Sequence, residues 1–376
     1  MASPENEPPS NVAPDLAWTS LVERSLEAWK SLKLNTEVGV FQTSFLQRYK
    51  SLDELLSSGL GHLMFWFFQR RDAFLSQKRM SKWSRTSLDD YILFPANNGF
   101  VNRIDCFFLS HFWHSKDHPD PDGKYLRLIQ DDLQSQEWSY IWVDWTCIPQ
   151  HPRSPTEEAF FVRTLQTVSG IIRNCGFMWY YPPFEPRMWI LYEVAENLLT
   201  SEGPFFGTED IRAFIEHIQE MLEAGVRPTL EKYGYNCSYD RDKDFLTSWL
   251  EVLVLLKKLR FDVDVKRRLL DALTWGHGIH YMYLGTTKGA VTFMRQEGTL
   301  DLNGKRYTFT PFPNWVSCTS RCRIWADRDD IGRRQIFHEH SASSGMKGPI
   351  TVCVKGWIYT RYQNNRLVPR ASLRLS

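Results

Sequence analysis

At 376 residues the chain exceeds a typical single domain, and its hydrophobic (43%) and charged (24%) fractions are those of a globular protein. A formal net charge of +1 excludes uniform attraction to nucleic acid or membrane and leaves that role to local patches. The aromatic fraction of 14%, with 15 Trp, predicts a bulky core.

The seven Cys are odd in number and mostly sit within apolar runs, so they read as buried thiols of an intracellular chain. The first residues lack the basic and apolar regions of a signal peptide, and no apolar run reaches membrane-spanning length. A cytoplasmic protein without a membrane partner is expected.

Residues 1–14, rich in Pro, Ser, Asn and Glu, read as a disordered lead-in. Residues 15–95 read as an N-terminal helical segment. Trp18, Val22, Leu26 and Trp29 share one face, and Ser51-Leu52-Asp53-Glu54 has the form of a capped helix start. The basic run Lys78–Arg85 reads as a solvated linker.

Residues 100–202 alternate buried runs with amphipathic helices. Strands are predicted at Phe107–Trp113, Tyr140–Val143 and Phe177–Tyr181, with helical spacing at Tyr125, Leu126, Ile129 and Leu133. Ser154-Pro155-Thr156-Glu157 opens a helix, with Ser154 as its cap, Pro155 in its first turn and Glu157 completing a capping box. This β-α-β-α-β-α order predicts an α/β fold with a parallel sheet. Polar residues just past each strand would then line a pocket at the carboxyl ends.

Residues 203–276 predict helices from Thr208 to before Gly225, from about Asp242 to Leu259 and from Val263 to Trp275. Residues 277–376 read as a β-rich region. There Asn303-Gly304 is a hairpin turn, because both residues accept positive φ, and Ile350–Tyr359 is a final strand.

Four groups of residues invite chemistry. Trp189 and Glu193, one helical turn apart with Arg187 nearby, would set an aromatic wall beside a carboxylate that stabilises charge at an anomeric carbon; a core Trp with a solvated Glu is the plainer reading. His111, His114, Asp117, His118, Asp120 and Asp122 cluster without a recognised metal spacing and read as a pocket rim, where Ser110 and His111 would touch substrate. Asp144, at the end of the second strand, suits a ribose hydroxyl or a cap, while Cys147 beside it reads as buried and inert. Cys318, Cys322, His338 and His340 lack zinc-ribbon spacing. From Ser341 onward the chain carries Lys347, Lys355, Arg361, Arg366, Arg370 and Arg374 and no acidic residue, which would favour a phosphate-bearing partner such as tRNA.

Three blocks carry a family resemblance. Ser110-His111-Phe112-Trp113 resembles the Ser-Tyr-x-Trp opening of fungal heterokaryon-incompatibility (HET) domains. Trp142-Val143-Asp144-Trp145-Thr146-Cys147-Ile148-Pro149-Gln150 resembles their Trp-Ile-Asp-Ala-Leu-Cys-Ile-Asp-Gln block. Arg187-Met188-Trp189-Ile190-Leu191-Tyr192-Glu193 is similar to their Arg-x-Trp-Thr-Leu-Gln-Glu block, whose Trp-x-x-x-Glu core also occurs in TIR domains. Pro149 stands where HET domains usually have Asp, and Tyr192 where they have Gln.

The resemblance implies a TIR/HET-like core in a fungal protein. It also implies that Glu193 cleaves the bond between ribose and nicotinamide, with Trp189, Ser110, His111, Asp144 and Arg187 binding substrate. NAD would be substrate and no cofactor would be required. Two alternatives remain at this point. One is a secondary-metabolite enzyme such as an aminoacyl-tRNA-dependent, arginine-containing cyclodipeptide synthase, and the other a non-catalytic self-recognition module that forms homo-oligomers.

Overall fold

The computed structural model describes residues 15–31, 42–58, 64–96, 100–115, 117–181, 184–201, 209–275, 279–284 and 289–313 with nearly all their side chains, and past residue 313 the backbone of five strands only. The protein is an α/β structure built on a mixed sheet. Its strands are β1 (Phe65–Arg70), β2 (Tyr91–Pro95), β3 (Cys106–His111), β4 (Tyr140–Trp142) and β5 (Gly176–Tyr180), in the order β2-β1-β4-β3-β5. β3 lies between β4 and β5 and is parallel to both, as the alternating pattern predicts.

The other half of the sheet departs from the all-parallel expectation. β1 pairs antiparallel with both β2 and β4, so two strands come from the segment expected to be helical. β1 reads Phe-Trp-Phe-Phe without alternation because all four side chains are buried, on both faces of the sheet. Such a run is ambiguous by periodicity alone. In the Lys78–Arg85 run Lys78, Arg79 and Lys82 are solvated as expected, while Met80 and Trp83 point into the core.

Alternation along β3 and β4 divides the core in two. Phe108 and Trp142 stack at 5.1 Å on one face, beneath the helices Pro155–Asn174 and Met188–Thr200. Leu109, Ile141 and Val143 face the other side, covered by Leu126, Ile129 and Leu133 of helix Lys124–Gln134. Each fully buried aromatic on these faces stabilises the fold by roughly 3 kcal/mol.

Helix Pro155–Asn174 starts where the capping box predicts. Ser154 Oγ accepts from the Glu157 N–H at 3.3 Å, and Glu157 Oε2 accepts from the Ser154 N–H at 2.8 Å. Helix Met188–Thr200 is buried nearly all round, between this helix and a further layer formed by Glu209–Ala224 and Asp240–Lys258.

A four-stranded antiparallel sheet follows: β6 (Ile279–Tyr283), β7 (Ala290–Met294), β8 (Thr299–Leu302) and β9 (Lys305–Thr308). The β8–β9 turn has φ of 50° at Asn303 and 82° at Gly304, the paired positive values that Asn-Gly favours. The last five strands are β10 (Cys322–Arg328), β11 (Arg334–His340), β12 (Ile350–Val354), β13 (Trp357–Arg361) and β14 (Leu367–Pro369), again antiparallel. The single strand expected over Ile350–Tyr359 is thus a hairpin. Among the described residues, no helix is long and apolar enough to cross a membrane.

Candidate active site

The carboxyl ends of β3, β4 and β5 lie at one edge of the sheet because the three strands are parallel. Ser110 and His111 end β3, Asp144 follows β4 and Tyr181 follows β5. Successive side chains of a strand point to opposite faces. Ser110 therefore shares the side of Phe108, toward helix Met188–Thr200, and His111 takes the other.

On the first side a chain of hydroxyls ends at Glu193. Tyr181 Oη donates to Ser110 Oγ, and Ser110 Oγ donates to Glu193 Oε2. Ser110 is 1% exposed and Tyr181 is buried, whereas Glu193 keeps part of its surface open. Its second oxygen, Oε1, has no hydrogen-bond partner among the described residues and is not sealed from solvent. Burial raises the Glu193 pKa, the Ser110 hydrogen bond lowers it and the Asp144 charge raises it, to about 8 in all. The carboxyl is therefore largely protonated at neutral pH. Burial, with Glu193 adding to it, likewise keeps the Tyr181 phenol protonated far into alkaline pH.

The second side holds a hydrogen-bonded carboxyl group. Asp144 Oδ1 accepts from His111 Nε2 at 2.9 Å and from the Trp145 N–H at 2.6 Å, and Oδ2 accepts from Trp113 Nε1 at 2.9 Å. A carboxylate acts only as an acceptor, so His111 Nε2 carries the proton of that hydrogen bond. Gln150 Nε2 donates to the Asp144 carbonyl at 2.7 Å and fixes the turn beneath it. Asp144 thus opens the short helix Asp144–Cys147 and sits at the strand-end rim. Its charge reaches Glu193 across the sheet edge.

Arg187 stands immediately before helix Met188–Thr200, half-exposed, with its guanidinium 4.6 Å over the Phe112 ring and 3.5 Å from Glu185. Trp189 is turned elsewhere. Its Nε1 donates to Asp242 Oδ2 at 3.0 Å, and its ring lies 6.4 Å from Phe245 on helix Asp240–Lys258. It braces the Glu193 helix and has no ring or hydrogen-bond contact with Ser110 or Glu193 among the described residues.

Of the remaining loop candidates, Asp117 and Asp122 are exposed, and His114, His118 and Asp120 are engaged internally. His118 Nδ1 accepts from the Asp120 N–H at 3.0 Å, Asp120 Oδ2 accepts from the Leu126 N–H at 2.8 Å, and His114 stacks on Tyr125. Among the described residues, no three His, Cys, Asp or Glu side chains are placed to hold a metal. Burial raises the Cys147 thiol to about 11, far from the thiolate that a nucleophile needs. The side chains of Cys318, Cys322, His338, His340 and the basic tail lie outside the described residues.

The sequence missed Tyr181, Trp113 and Gln150 as site residues. Trp113 and Gln150 fall inside the quoted blocks, and that was their signal. Tyr181 is one aromatic among several, and only the register of β5 against β3 brings it to Ser110.

A broad depression of about 490 Å³ lies elsewhere, at the amino end of β4, lined by Arg70, Arg71, Trp138 and Tyr140. Its cations are engaged, Arg71 with the Gln134 carbonyl at 2.8 Å and Arg70 with Asp72. Comparison of the chain with protein families, with curated proteins and with solved structures finds no match.

Proposed function

We propose that residues 100–202 form a TIR/HET-like domain whose strand-end site cleaves the N-glycosidic bond of NAD or a related nucleotide. One observation carries this reading: the first and third sequence blocks, 83 residues apart, meet through the Ser110–Glu193 hydrogen bond, and the second joins the first through His111 and Asp144. Block one ends β3, block two forms the end of β4 and the turn bearing Asp144, and block three opens the helix that delivers Glu193.

Cleavage of a glycosidic bond develops positive charge at C1′, and a carboxyl group at that carbon stabilises it. Glu193 Oε1 is the open oxygen suited to that position. Arg187, a half-exposed cation on the rim, suits a nucleotide phosphate. Asp144 and His111 suit the ribose hydroxyls or the attacking water. The fold by itself carries none of this chemistry.

The test is incubation of purified protein with NAD and with other nucleotides, with released base read by mass spectrometry. Glu193→Ala should abolish release while circular dichroism stays unchanged. Turnover equal to that of the native protein would overturn the reading.

A second reading is favoured by the placement of Ser110 between a phenol and a carboxyl group, which suits a hydroxyl that accepts an acyl group. An aminoacyl-tRNA-dependent cyclodipeptide synthase would use it so. Aminoacyl-tRNA would then give a cyclic dipeptide, Ser110→Ala would abolish it, and NAD would be untouched. The near-complete burial of Ser110 favours the first reading.

A further inference from the structure

Resting on the N-glycosidase reading, we infer that Glu193 is a general acid acting through Oε1, and that the substrates are nucleosides or nucleotides whose departing heterocycle must be protonated, rather than pyridinium glycosides such as NAD.

The hydrogen-bond directions carry this assignment. Both hydroxyl donors on the inner side are committed in sequence, Tyr181 to Ser110 and Ser110 to Oε2. No donor among the described residues reaches Oε1, and no Lys, Arg or His nitrogen among them lies within ion-pair distance of Glu193. The charged group that does act on Glu193 is the like-charged Asp144. A carboxyl group placed so, with one oxygen satisfied and the other facing outward, holds its own proton on the outward oxygen. The elevated pKa of Glu193 agrees with this placement.

The chemistry then separates two kinds of leaving group. A nicotinamide ring is cationic while attached to ribose, and it departs as a neutral molecule without receiving a proton. A purine or pyrimidine is neutral while attached and departs as an unstable anion unless a proton is supplied. A neutral carboxyl group assists only the second.

In that step the Glu193 Oε1–H bond breaks and its proton passes to a ring nitrogen of the base. The C1′–N bond breaks and its electron pair goes to the base. Glu193, now a carboxylate, faces the cationic ribosyl carbon. Water adds to C1′ from the side the base has left and gives its proton back to Glu193 Oε1. The sum is hydrolysis to the ribosyl sugar and free base, with the Glu193 proton restored.

The experiment compares native protein and Glu193→Gln on a purine nucleotide, on NAD and on para-nitrophenyl riboside, whose phenolate leaves without a proton. Glutamine copies the shape of the neutral carboxyl group but donates no carboxyl proton. The expected result is loss of purine release by roughly 10³-fold in the variant, with para-nitrophenyl riboside turned over within about tenfold of native. Equal loss on both substrates would overturn the acid role. Release of nicotinamide without any release of purine would overturn the substrate class yet leave the N-glycosidase reading standing. No turnover of any glycoside by native protein would sink both.

Discussion

Glu193→Gln is expected to raise the melting temperature, by an amount that grows between about pH 4.5 and pH 8. The Glu193 carboxyl titrates near 4.5 in the unfolded chain and near 8 in the folded one. A folded-state pKa raised in this way contributes stability that is present below 4.5 and is lost as pH rises through 8. Within that window the unfolded chain has already released a proton that the folded chain still holds. Gln cannot ionise, so the variant escapes the loss. A shift of this size sets a ceiling of roughly 5 kcal/mol, and relaxation around a partly open carboxyl leaves about 2–3 kcal/mol at pH 8. Thermal unfolding of both proteins at pH 4.5, 6 and 8 measures this directly. A melting difference independent of pH, or a less stable variant at pH 8, would mean that Glu193 is ionised in the folded protein.

That expectation joins stability to function. The same burial that costs stability at neutral pH keeps a proton on Glu193, where the proposed proton transfer would need it. A site built by desolvating a carboxyl group trades folding free energy for a matched pKa. Gain of stability together with loss of base release in one variant would be the mark of that trade.

What could be read in the sequence was what depends on short-range spacing. The Ser154–Glu157 capping box, the Asn303–Gly304 turn and the amphipathic spacing of Leu126, Ile129 and Leu133 are local patterns, and each is present as expected. The parallel trio β3, β4 and β5 follows from alternating buried runs and helices. β1 and β2 were not legible, because a run buried on both faces has no period and nothing local says that it will pair antiparallel with β4. The site divides in the same way. Ser110, Asp144 and Glu193 stand in recognisable blocks, but the Tyr181–Ser110–Glu193 chain depends on the β3–β5 register and on how helix Met188–Thr200 packs, across separations of 71 and 83 residues. Trp189 shares a helical face with Glu193 by spacing, yet Asp242 and Phe245 draw its ring onto the neighbouring helix. Sequence periodicity fixes which residues share a face, and tertiary packing decides what that face meets.

Arg173→Met should destabilise the protein by about 3–5 kcal/mol, the cost of breaking a buried ion network from one side. Arg173 is wholly buried near the end of helix Pro155–Asn174. Its Nη1 donates to Glu196 Oε1 at 2.7 Å and to Ser169 Oγ, and its Nη2 donates to Asp271 Oδ1 at 2.5 Å. Burial works against the Arg173 charge, but Asp271 and Glu196 more than offset it and hold the guanidinium protonated. Burial raises the Glu196 pKa and Arg173 opposes that rise. Without Arg173, two buried carboxyl groups would lose the cation they share, and Glu196 would take up a proton. The loss should therefore be smaller in acid than at neutral pH. Recovery is expected when Glu196→Gln and Asp271→Asn are added, since a neutral trio leaves no buried charge behind. Equilibrium denaturation of the single and triple variants at pH 5 and pH 7.5 reads both effects. A loss under 1 kcal/mol that does not vary with pH would show that the network contributes little. Glu196 lies three residues beyond Glu193 on the same helix, so this network also fixes the helix that delivers the Glu193 carboxyl to Ser110. The triple variant, restored in stability, should accordingly recover base release, whereas a further Glu193→Gln change should abolish it again.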